Sequence, residues 1–140
     1  MRDPGRGVSG RGAGRALEIV TVVLLCGCAL LSGVFAVLLT PFRVGAALVP
    51  VSVLIALVAN VVLPVLAGRL IGAGWAAALP WLCWFVTVVA LGMTPRAEGD
   101  VLLPGGGAQE WVSLATVFVG AIAGVATLAW LSGALDLRRR

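Results

Sequence analysis

The chain contains no histidine and no lysine, and only six of its 140 residues are acidic. Without histidine it lacks the commonest general base and the commonest metal ligand. No group of acids or thiols has metal-ligand spacing, and no glycine-rich loop ends in Gly-Lys-Ser/Thr to cradle a phosphate. No serine stands in a nucleophile-elbow or intramembrane-protease context. An enzyme is therefore not expected, and no cofactor or metal is implied. All ten basic residues are arginine. Together with abundant Ala, Gly and Val, that points to a GC-rich genome rather than to a mechanism. Charged residues make up 11% of the chain, against about 25% in soluble domains.

Apolar residues fill the space, at 61% of the total, and they come in long runs. A bilayer core of about 30 Å needs about 20 helical residues, and runs of this kind are span candidates. Four are present, at about 17–40, 44–67, 75–93 and 111–134. Pro41-Phe42-Arg43 is a turn between the first two, and Gly68-Arg69-Leu70-Ile71-Gly72-Ala73-Gly74 a glycine-rich break before the third. Pro50 and Pro64 interrupt the second run. The runs are apolar all round, without the alternation of barrel strands. The predicted fold class is all-α, a polytopic bundle of four transmembrane helices. Residues 1–16 read as a disordered Arg/Gly-rich tail and 135–140 as a basic tail. No aromatic residue in the first tail could stack on bases, so nucleic acid is not an expected partner; the lipid bilayer is.

Orientation follows from the arginines. With four spans, Arg2, Arg6, Arg11, Arg15, Arg69, Arg138, Arg139 and Arg140 share one side, and only Arg43 and Arg96 fall on the other. The positive-inside rule then puts both termini in the cytoplasm of a bacterial cell.

No ionisable residue occupies the middle of a run, which speaks against a coupled pump, since intramembrane charges mark proton and ion pathways. Glu18 has two readings. One is the substrate carboxylate of a four-span drug exporter; the other, preferred, is a first-turn acid complementing the helix dipole near Arg15. Asn60 with Pro64 is the one strongly polar feature at depth. Pro64 cannot donate to the carbonyl of Asn60, and a kink with an interhelical hydrogen bond is the preferred reading. Gly120 and Gly124 form a G-x-x-x-G, with Ala129 and Gly133 extending the small-residue spacing and Ala29 and Gly33 repeating it in the first span. Such spacing lets another backbone come close, within the chain or from a second copy. Cys26 and Cys28 point to nearly opposite helix faces, and all three cysteines read as small apolar residues.

The longest polar stretch between the ends runs from Met93 to Glu110. Two prolines and four glycines exclude a continuous helix there. Arg96, Glu98, Gly99 and Asp100 make it the candidate partner-binding loop, with a solvated turn as the alternative. The order of elements, with Gly68-Arg69 after the second span and Arg96-Ala97-Glu98-Gly99-Asp100 after the third, resembles an uncharacterised family of small four-span actinobacterial integral membrane proteins. That family has an Arg-Pro-x-Gly-Asp-like loop after the third span; here Ala97 stands in place of the proline. The resemblance implies four spans and no assigned activity. The function expected is a scaffold or accessory subunit packing against another membrane protein or against itself. The alternative is an oligomeric small-molecule transporter or channel.

Overall fold

The computed structural model of the protein describes residues 6–40, 42–45, 47–94, 103 and 110–139. Four helices carry the fold: α1 Arg6–Leu38, α2 Val51–Ile71, α3 Gly74–Met93 and α4 Glu110–Arg139. Each contains a segment long and apolar enough to cross a membrane: Gly14–Leu38, Val51–Ile71, Gly74–Met93 and Glu110–Ala134. At about 1.5 Å per residue the shortest reaches about 30 Å, the thickness of a bilayer core. The protein is an all-α, four-span, multi-pass membrane protein.

Three boundaries differ from the sequence expectation. First, α1 begins at Arg6, so residues 6–16 of the supposedly disordered tail are helical, and α4 runs on to Arg139 through the basic tail. Starting a helix is the costly step and extending one is cheaper, so a formed span can run on past its apolar core, even through the weak helix formers Gly7, Gly10, Gly12 and Gly14. Glu18 is consequently not in a first helical turn, and the dipole argument for it fails.

Second, α2 starts at Val51 rather than Val44. Proline disfavours helix in the residue before it, and Pro50 takes the N-cap position. Its carbonyl accepts the N–H of Val53 and of Leu54. The residues upstream form a minimal hairpin of β1 (Arg43–Val44) and β2 (Ala47–Leu48), with Arg43 opposite Leu48 and Val44 opposite Ala47. Gly45 turns it at φ 62°, and the N–H of Val49 donates to the carbonyl of Phe42 at 3.0 Å. These bonds pair backbone groups of the connection that would otherwise face the hydrocarbon.

Third, the glycine-rich break before α3 shrinks to Gly72 and Ala73. Gly72 closes α2 in the left-handed conformation, φ 71°, with its N–H on the carbonyl of Gly68 at 3.0 Å. Gly68 itself is helical and buried against the side chains of Leu131 and Ala77. It is a packing glycine, not a breaker. Pro64 and Pro80 lie inside α2 and α3.

Helices α2 and α3 form the central pair, and α1 and α4 each pack against both. The chain runs up and down. Ser52 meets Thr116 near the starts of α2 and α4, and Gly68 meets Leu131 near their ends. The buried stripes follow helical spacing: Ala29, Gly33, Ala36 and Val37 on α1, with Thr40 in the turn that follows; Ser52, Ala56, Asn60, Pro64 and Ala67 on α2. Most of these side chains are small or carry a hydroxyl, whereas Leu24, Leu31, Phe35, Leu54, Val86, Phe118 and Ile122 face outward. Lipid solvates large apolar side chains as well as a protein core does, so close backbone approach, not hydrophobic sorting, selects the inner faces.

The α2–α4 register is open to a direct check. With the native cysteines replaced by serine, Ser52→Cys paired with Thr116→Cys should crosslink within one chain under mild oxidation, seen as a mobility shift on non-reducing gels. Ser52→Cys paired with Thr127→Cys, about 16 Å further along α4, should not.

Candidate functional site

Two close approaches of side chain to bare backbone lie between α3 and α4. Trp81 and Trp84 lie nearly a turn apart on α3; Trp84 is fully buried, and Trp81 stacks on Phe85 with ring centroids 5.8 Å apart. Opposite them α4 presents Gly120 and Gly124, four residues apart and both buried. A Cβ built on Gly120 would overlap the benzo ring of Trp84, and one on Gly124 would overlap the pyrrole ring of Trp81. The G-x-x-x-G ridge is thus filled from within the chain, by indole rings rather than by another backbone. Gly33 does the same on a smaller scale, meeting Thr87 and the carbonyl oxygen of Trp84. The spacing announced a close approach; the two tryptophans that fill it went unrecognised.

Both indole Nε1–H groups of this seam are buried and lack a hydrogen-bond acceptor among the described residues. A buried unpaired donor costs about 1–3 kcal/mol, so the fit of ring to glycine is what holds them there. The remaining buried polar side chains are matched locally. Thr40, Thr87, Thr116 and Thr127 each donate to the carbonyl four residues earlier, at 2.7–2.9 Å. Ser52 and Thr116 join α2 to α4 at 2.8 Å. Since the single hydroxyl proton of Thr116 is committed to the carbonyl of Val112, Ser52 is the donor of that pair.

Asn60 is buried, as its sequence context suggested, but its expected interhelical bond is not the one formed. Its Nδ2 donates back to the carbonyl of Ala56 at 2.8 Å, the same i−4 reach that the threonines use. The Ser52–Thr116 pair supplies the interhelical bond, and nothing in the sequence linked two hydroxyls 64 positions apart.

Arg96, Glu98, Gly99 and Asp100 lie outside the described residues. From the same loop Leu103 is described, and it packs over Gly92 at the end of α3, where a Cβ would overlap its side chain. With Val88, Met93, Ser113 and Val117 it lines a cavity of about 210 Å³. Leu103 itself is thus seated against the ends of α3 and α4. Glu18 is exposed on α1, away from the packed interior. Cys26, Cys28 and Cys83 are free thiols; Cys28 borders an open groove of about 470 Å³ between α1 and α2 whose lining is apolar. No group of three or more metal-ligating side chains gathers among the described residues. Comparison with known family models, curated proteins and solved structures yields no match.

Two glycines on α4 should respond in opposite ways. Gly133 has nothing within reach of an added Cβ, so Gly133→Ala should raise the thermal midpoint, by about 0.5–1 kcal/mol of helix preference. Gly120→Ala should lower it, because overpacking costs about 1–3 kcal/mol and outweighs that gain. Trp84→Phe, which removes the overlapping ring, should make Gly120→Ala much less damaging when combined with it. Additive losses in that double variant would place Gly120 elsewhere.

Proposed function

We propose that the protein is a non-catalytic scaffold or accessory subunit of the bacterial cytoplasmic membrane, with both termini in the cytoplasm, that packs against another membrane protein. The observation that carries this reading is the chemistry of the buried faces. Their polar residues are Thr40, Ser52, Asn60, Thr87, Ser113, Thr116 and Thr127, with no acid or base among the described ones. The threonines and Asn60 bond to carbonyls of their own helices. Side chains so committed stabilise a bundle but leave little to bind or move a polar substrate.

The cytoplasmic placement rests on charge. The structure brings the start of α1, the end of α2 and the end of α4 to one end of the bundle, and that end holds most of the arginines. The candidate contact with a partner is the loop segment Arg96, Glu98, Gly99 and Asp100.

Reporter fusions at Arg140 and Gly106 should report cytoplasm and exterior respectively; a C-terminal fusion active only outside would overturn the orientation. A photocrosslinker at position 100 in native membranes should capture a second membrane protein that a probe at position 106 does not. Equal capture at both positions, or none, reduces the loop to a connector. Reconstituted protein should not export cationic drugs against a proton gradient. Export abolished by Glu18→Gln would replace the accessory reading with a transporter.

A further inference from the structure

Two thiols meet in the middle of the bundle. The side chain of Cys26 on α1 has that of Cys83 on α3 as its hydrogen-bonding neighbour. Backbone position agrees with the contact. Cys26 is twelve residues from either end of the apolar segment Gly14–Leu38, and Cys83 is nine residues after Gly74 and ten before Met93. At about 1.5 Å per residue, both thiols lie about 15 Å from the ends of their spans, deep in the hydrocarbon. The contact belongs to a close seam. Cys26, Ala29, Gly33 and Val37 fall on one face of α1, and bare Gly33 lets Thr87, one turn beyond Cys83, come against its backbone. Both cysteines of the pair are half-buried, so acyl chains reach them from one side. Cys28 is exposed on another face of α1, beside the α1–α2 groove.

The solvent limits what such a pair does. Two sulfurs fall short of the four ligands of a structural zinc, and no third metal-ligating side chain joins them among the described residues. Thiolates at this depth would carry charge into hydrocarbon. A disulfide carries none, so the reduced and the oxidised pair both suit the bilayer core. We propose that Cys26 and Cys83 are an oxidisable pair, a modification site whose co-substrate is a hydroperoxide dissolved among the acyl chains. One sulfur attacks the peroxide: the O–O bond breaks, the sulfur takes the OH as a sulfenic acid, and the alcohol leaves with the thiol proton. The second sulfur then displaces that OH, which departs as water with the second thiol proton, and the S–S bond forms. Each sulfur gives up one electron, and the peroxide oxygens take both. The second step needs a thiol already beside the first, which is what the Cys26–Cys83 contact supplies. The link ties α1 to α3 of the central pair. It uses no residue of the candidate partner loop and stands independently of the accessory reading.

The test uses the full chain in phosphatidylcholine nanodiscs treated with cumene hydroperoxide. Free thiols are counted by maleimide mass tagging after denaturation, and links are mapped by peptide mass spectrometry. The count should fall from three free thiols per chain to one, with Cys26 joined to Cys83 within one chain, and reduction with a phosphine should restore all three. Cys28→Ser should go from two free thiols to none. Cys26→Ser and Cys83→Ser should each form no link within the chain, and their thermal midpoints check that they are folded. Hydrogen peroxide at the same concentration should act more slowly, because it stays in water. A link that includes Cys28, or three free thiols surviving the hydroperoxide, would overturn the proposal. So would hydrogen peroxide acting as fast as cumene hydroperoxide, since the oxidant would then come from water.

Discussion

The seating of Trp81 and Trp84 on the bare backbone of Gly124 and Gly120 sets how closely α3 and α4 approach. In lipid, burying one more apolar side chain gains little, because the acyl chains it leaves are as apolar as the core it enters. What remains is dispersion between well-fitted surfaces, which falls off steeply with small gaps. Glycine lets α4 come close enough for the flat rings to lie against its backbone. The core cluster grows from the same place, with Trp84 and Val88 of α3 meeting Ala29 and Val37 of α1 and Ala56 of α2.

The same solvent governs polar groups. With no water at depth, a hydroxyl or amide must find a partner within reach, and the nearest one is the carbonyl a turn back on its own helix. Thr40, Thr87, Thr116, Thr127 and Asn60 all take it. Among the described residues, this local solution leaves the two indole donors as the buried polar groups without a partner.

Much of the architecture was legible without coordinates, and the failures have identifiable causes. The stretch from Val44 to Val49 is apolar enough to join either a span or a turn. Only the geometry around Pro50 and Gly45 decides for the hairpin. Gly68 reads equally well as a break or as a close-packing position, and the choice belongs to Leu131, on another helix. The Gly120–Gly124 spacing predicted an intimate contact correctly, yet an indole ring and a second copy of the chain leave the same mark on α4. The partner-loop residues 96 and 98–100 fall outside the described region, and the sequence remains the basis for assigning them a role.

The sequence by itself determined the number of crossings, the separation of arginines between the two ends, and the lack of ionisable groups at depth. Each of these is set residue by residue, by the cost of moving that side chain between water and hydrocarbon. Only the tertiary structure decided which face of each helix turns inward, that Trp84 meets Gly120, and that Ser52 donates to Thr116. The reason lies in the solvent: a span apolar on every side has nearly the same transfer free energy however it is rotated about its axis. Shape complementarity with the neighbouring helices, which no single helix encodes, has to make the choice.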